Sequence, residues 1–163
     1  MPTIYVNGKV LAKRKLTEGV AVVVENGNIL ELQDEDAIDI GQHDCVDLEG
    51  GYLLPGFIDT QVNGGGGVLF NDSPTLYGIQ AITRAHHRFG TTGMLPTLIS
   101  DELDVVRQGM EAVSEAIEQE VPGVLGIHIE GPFLNVERRG VHDPARIRQL
   151  SRDILADLQP LEN

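Results

Sequence analysis

Tryptophan is absent from these 163 residues and aromatics make up only 4%, so any core must be built from aliphatic side chains. The single cysteine, Cys45, excludes an intrachain disulfide and suits a reducing compartment. Basic residues are scarce: 12 Lys and Arg stand against 25 Asp and Glu, a net charge of −13. A surface of that sign repels nucleic acid and anionic membranes, so neither is an expected partner. Nowhere do about 18 apolar residues run together, so no membrane span is expected. The N-terminal MPTIYVNGKV lacks the basic start and apolar run of a signal peptide, and the expected location is the cytoplasm. What remains is a globular composition, 41% hydrophobic, long enough for one compact core. Of its 19 glycines, eight fall in NG and GG pairs that mark turns.

The first fifty residues read as β-structure. TIYVNGKVLA places two short apolar runs around Asn7-Gly8, and GVAVVVENGNILELQ repeats the pattern around Asn26-Gly27. Both are hairpin signals, so a small antiparallel piece is expected, followed by the acidic stretch DEDAIDIGQHD.

At Pro55 the pattern changes. GFIDTQVNGGGG reads as a strand ending in a glycine loop, TTGMLPTLIS as a second strand and GVLGIHIEG as a third. Between them lie two helices. The first has Ser73 as N-cap, Pro74 at its first position and Gly90 at its C-terminal cap. The second has Ser100 as cap and a stripe of Leu103, Val106, Met110, Val113 and Ile117 at spacings of three and four. A last helix is expected from Asp143-Pro144, carrying Ile147, Leu150, Ile154 and Leu158. Alternation of this kind, with near-continuously apolar strands, predicts a parallel sheet covered on both faces, either open and doubly wound or part of a barrel.

Ligands of parallel α/β sheets gather at the C-terminal ends of the strands. At the first such end, Asp59, Gln61 and Asn63 share a face if the strand persists, as a hydrogen-bonded terminus or as ligand contacts. The glycines after them are not a phosphate loop, because the G-x-G-x-x-G spacing breaks at Leu69. At the third end, His128 and Glu130 are i and i+2 and point the same way. A strand-end carboxylate needs a proton, a partner or a cation, so Glu130 is either a metal ligand or half of an ion pair with Arg or Lys. His-x-Glu also opens the zinc deaminase signature, but that needs a downstream P-C-x-x-C, and Cys45 lies upstream. His86 and His87 are adjacent on a helix and do not share a face. His142 falls in a loop, where functional side chains concentrate. Arg138 and Arg139 nearby form a basic island, suited to an anionic group or to a solvated turn.

Taken in order, LLPGFIDTQVNGGGGVLFND, TTGMLPTLIS and GIHIEGPFLNVERRGVHDP resemble the N-acetylglucosamine-6-phosphate deacetylases of the amidohydrolase superfamily, from about Leu53 to Pro144. The resemblance implies the N-terminal part of a (β/α)8 barrel, preceded by strands of a small β-sandwich. Residues 1–54 would belong to the sandwich and 55–163 to the first three βα units. It implies metal-dependent hydrolysis of an acetamide on a phosphorylated amino sugar, with one divalent ion, zinc or iron. Glu130 corresponds to a metal ligand, while Val141 (through its backbone) and His142 correspond to residues contacting the sugar. Gln61, Asn63 and His128 would lie near the site. Many amidohydrolases carry H-x-H where this chain has Gln61-Val62-Asn63, which implies a single-metal site.

A full barrel takes about 250 residues, so three βα units predict the front portion of a larger enzyme, and the resemblance implies a homodimer when complete. The family's remaining metal ligands, its catalytic aspartate and most phosphate contacts correspond to positions beyond Asn163. The chain alone is therefore expected to be inactive. Two other readings stay open: a deacetylase for the galactosamine epimer, and a non-catalytic βα domain that binds a sugar phosphate or a partner chain.

Overall fold

The structure, a computed structural model, describes residues 1–39, 41 and 43–158 and divides into two compact units, Met1–Pro55 and Gly56–Asn163. The first unit holds β1 (Thr3–Val6), β2 (Lys9–Ala12), β3 (Lys15–Thr17), β4 (Val20–Glu25), β5 (Asn28–Asp34), a 3-10 turn (Glu35–Ala37), β6 (Asp44–Asp47) and β7 (Tyr52–Leu53). These form two sheets, ordered β5-β4-β1-β6 and β3-β2-β7. Alternation along β1 and β4 turns Ile4, Val6, Ala21 and Val23 into one small core.

Only one of the two expected hairpins forms. Asn26 and Gly27 take positive φ and close β4 onto β5, with Glu25 opposite Asn28. Asn7 also has positive φ, but the chain turns there from one sheet into the other. The Asn7 backbone N–H is taken by Glu35 and its side-chain amide by Asp47. A Cβ on Gly8 would lie 2.9 Å from that of Leu48, so the backbone fits closely there without a side chain. β2 instead pairs with β3 through Lys13 and Arg14, both at positive φ. Nor is the unit purely antiparallel, because β6 joins β1 and β7 joins β2 in parallel.

The second unit runs β8 (Phe57–Val62), a miniature hairpin of β9 (Gly64–Gly65) and β10 (Val68–Leu69), α1 (Leu76–His87), β11 (Thr91–Ile99), α2 (Leu103–Glu118), β12 (His128–Glu130), two 3-10 turns (Val136–Arg138 and Pro144–Arg146) and α3 (Arg152–Asp157). The parallel sheet expected from the alternation is present, in the order β12-β11-β8. β11 lies in the middle with six of its nine residues buried, whereas Phe57 and Ile58 of β8 stay exposed, so cover on both faces does not reach the start of that strand. The core joins Val62, Met94 and Leu98 of the sheet to Phe70, Ile79, Ile82 and Val113.

The helix boundaries depart from the sequence reading. α1 is capped by Thr75, whose hydroxyl accepts the Gly78 N–H at 3.1 Å, and not by Ser73. A side chain at position 78 would collide with the Ser73 carbonyl, so the close approach of Ser73 to the first turn needs this glycine. α2 begins after Glu102, and Ser100 caps nothing because its backbone N–H and hydroxyl face His142. The most buried positions of α2 include Gly109, Ala112 and Ala116, small residues that let its axis approach β11 and turn the helix away from a stripe drawn on large side chains alone. The expected last helix is reduced to α3. Arg148 gives its N–H to the Pro132 carbonyl, which holds that segment out of helix, and Ser151 caps the residues that follow.

Candidate functional site

Thr97 of β11 stands opposite His128 of β12, and Ile99 opposite Glu130, so the strand ends are level. Pro96 does not end β11, but it has no N–H to give β8, and the register shifts between Met94 and Pro96. At this shift the Thr97 hydroxyl, and not a backbone carbonyl, accepts the Val62 N–H at 2.9 Å. His128 places Nδ1 3.3 Å from the same hydroxyl, which ties β12, β11 and β8 together at one level.

Glu130 is the meeting point one turn of the pleat further on. Its Oε2 accepts from Gln61 Nε2 at 2.9 Å, and its Oε1 lies 3.4 Å from His142 Nε2. The carboxylate side chain is 31% exposed and the imidazole 5%. An ion pair of Glu130 with Arg or Lys, one of the readings left open by the sequence, is not what the structure holds: its partners are an amide and an imidazole. His142 is fixed from behind by Ser100, whose backbone N–H and hydroxyl lie 3.2 Å and 2.9 Å from Nδ1.

The other sequence candidates fall around this point. Asp59 accepts the Gln61 N–H at 3.0 Å and so trims the end of β8. Asn63 lies one residue past β8, and its Nδ2 is buried with no hydrogen-bond partner among the described residues. Val141 is 86% exposed, beside a histidine that is buried. Arg139 reaches back to the Val136 carbonyl. His86 bonds the Gly64 carbonyl at 3.0 Å and braces the glycine hairpin. Among the described residues no three His, Cys, Asp or Glu side chains are grouped as a metal would require.

Three contributors play parts that the sequence does not reveal, although Thr97 and Ser100 are polar candidates at the end of the second strand. Ser100 and Thr97 meet their partners 42 and 31 residues away, and no local pattern marks either pairing. Asn71 grips Ile99 from both sides, accepting its N–H at 3.0 Å and donating to its carbonyl at 3.2 Å, and also bonds Asp101.

A carboxylate, an amide and an imidazole thus converge at one end of a three-stranded parallel sheet. Residues 52–158 match the Amidohydrolase family, and the chain belongs to that family, whose members use a divalent metal. It is 46% identical over 144 residues to the N-acetylgalactosamine-6-phosphate deacetylase of Shewanella sp. (strain ANA-3), covering 88% of this chain and 36% of that protein. It is 33% identical over 150 residues to the N-acetylglucosamine-6-phosphate deacetylase of Haemophilus influenzae, covering 91% and 39% respectively. The crystal structure of N-acetylglucosamine-6-phosphate deacetylase from Pasteurella multocida aligns with a TM-score of 0.92 at 30% identity, over 97% of this chain and 41% of that one. The chain thus spans between 36% and 41% of the length of these relatives, in their N-terminal part. It is a mixed α/β chain, and no helix among its described residues is long and apolar enough to cross a membrane.

Proposed function

We propose that this chain supplies the N-terminal share of a metal-dependent deacetylase that hydrolyses the acetamide of N-acetylglucosamine 6-phosphate, within a (β/α)8 barrel carrying a small β-sandwich. The observation that carries the reading is Glu130: a carboxylate at a strand end, held by Gln61 and His142, with no Lys or Arg paired to it among the described residues. A hydrogen bond from an amide such as Gln61 orients a carboxylate without cancelling its charge, which suits a cation ligand.

Glu130 fits a divalent metal as one ligand, zinc or iron by the chemistry of an oxygen donor with imidazoles expected beside it. A catalytic metal takes about three protein ligands, and the described residues do not supply the other two. No step is therefore assigned to this chain alone. The metal, when bound, supplies Lewis-acid polarisation of the acetamide carbonyl. Gln61 and His142 hold the Glu130 oxygens in place, and His142 with the Val141 backbone faces the sugar. A second reading is favoured by a specific observation: the 46% identity is to an enzyme for the galactosamine epimer.

The test is complementation. This chain is mixed with the separately expressed C-terminal remainder of the Shewanella relative, and acetate release is followed from both 6-phosphate epimers with zinc or iron(II). Release is expected only from the mixture, and it should disappear with Glu130→Gln. If the relative's own two halves restore activity while this chain gives none with either epimer, the assignment is wrong. Release from this chain alone, lost in Glu130→Gln, would overturn the statement that its site is incomplete.

A further inference from the structure

We propose that Ser100 is a positioning residue that decides which nitrogen of His142 carries the proton, and so aims an N–H at Glu130. A backbone N–H can only donate, and that of Ser100 points at His142 Nδ1 from 3.2 Å. Nδ1 must therefore present its lone pair. The Ser100 hydroxyl, 2.9 Å away, donates to the same nitrogen. In the neutral ring the proton then sits on Nε2, the nitrogen 3.4 Å from Glu130 Oε1. The opposite tautomer would set an N–H against the Ser100 N–H and a lone pair against the carboxylate.

Neither donor is free to move aside. Asn71 holds the N–H and the carbonyl of Ile99, which fixes the backbone leading into Ser100. Gly131 packs against the Ser100 hydroxyl so closely that a Cβ there would collide with it. His142 is 5% exposed, so most of its ring is shielded from bulk water.

The consequence rests on the functional reading above. A contact of 3.4 Å to Glu130 is long, so the Nε2–H is a donor that can pass to an oxygen of a bound ligand without any change of tautomer. Were Nδ1 protonated, the same ring would offer that oxygen a lone pair. Ser100 touches neither ligand nor metal in this scheme and acts only through His142.

The experiment is long-range proton–nitrogen correlation NMR on the 163-residue chain labelled with ¹⁵N-histidine, without metal or substrate, at about pH 8, above the ordinary histidine range. His142 is assigned by its loss in His142→Gln. The expected spectrum shows Nδ1 as a bare nitrogen and Nε2 as a protonated one. Ser100→Ala keeps the backbone donor but loses the hydroxyl, so the tautomer ratio should move about fivefold toward Nδ1–H, the worth of one neutral hydrogen bond. Ser100→Thr should restore it. A wild-type Nδ1–H or averaged ring at His142 overturns the inference. So does a Ser100→Ala chain that melts lower while both nitrogen signals stay put, because Ser100 would then serve packing only. Complementation with averaged His142 nitrogens would sink this inference and leave the deacetylase reading intact, and the reverse pattern would sink only the latter.

Discussion

Gln61 and Glu130 touch across a strand that separates them. Gln61 lies on β8 and Glu130 on β12, with β11 between, yet the amide and the carboxylate are 2.9 Å apart. Side chains from two non-adjacent strands meet over the middle one only when all three ends are level. The Thr97 hydroxyl, which accepts the Val62 N–H where the register shifts at Pro96, joins β11 to β8 at that level.

The contact should be measurable in stability. Gln61→Ala removes a hydrogen bond to a partly exposed charge and should cost about 1 kcal/mol in urea denaturation. Gln61→Glu sets two carboxylates against each other and should cost more at neutral pH, with the excess fading as the solution is acidified. A Gln61→Glu chain as stable as wild type at neutral pH would mean that the two side chains do not meet.

Gly131 is the point where Glu130 hands over to the loop bearing His142. Its φ of +109° is open to glycine and strained for other residues, and any Cβ would collide with the Ser100 hydroxyl. Gly131→Ala combines both penalties and should lower stability by roughly 2 kcal/mol or more. Glycine at 140, with φ +61° and nothing near its missing Cβ, is the control and should respond less. Equal losses at the two positions in thermal melts would remove the steric argument.

What the sequence made legible follows from the range of the forces involved. The parallel sheet and both main helices were readable because period and turn chemistry are local, and Asn26-Gly27 closed its hairpin for the same reason. Asn7-Gly8 carried the same signal and failed, because Asp47 and Glu35, 40 and 28 residues away, captured the asparagine. Glu130, Gln61 and His142 were legible as candidates, yet their joining was not, since it depends on strand register. Ser100 was misread as a cap, the commonest local use of a serine before a helix, when a partner 42 residues on had claimed it.

Glu102 ties the loop beyond His142 to the start of α2. It pairs with both Arg146 and Arg148, the latter at 2.9 Å, and Arg148 also bonds the Pro132 carbonyl through its backbone. All three side chains are about a third to a half exposed, so solvent screens the pairs. Glu102→Gln should cost only about 1 kcal/mol, less in high salt. The sharper readout is local: the Arg148 amide should exchange with deuterium faster while amides of β11 are unchanged. Unaltered exchange at Arg148 would show that the ion pairs do not hold the loop.

Asp47 offers a test by pH in the first unit. The Glu49 backbone N–H and then the Asn7 side-chain amide hold its carboxyl below the usual carboxylate range, with a small opposing effect of desolvation. A group whose folded pKa is depressed stabilises the fold fully above its unfolded value. That contribution is lost as pH falls through the lowered folded value. The difference in stability between wild type and Asp47→Asn should therefore be constant near neutral pH and shrink only in acid below the ordinary aspartate range. Carboxyl-carbon NMR should place the Asp47 midpoint below that of an unstructured aspartate, and Asn7→Ala should move it only part of the way back, because the Glu49 N–H remains the larger cause. A midpoint at or above the ordinary value would mean that Asp47 does not hold the Asn7 corner, and the passage of the chain between the two sheets of this unit would need another explanation.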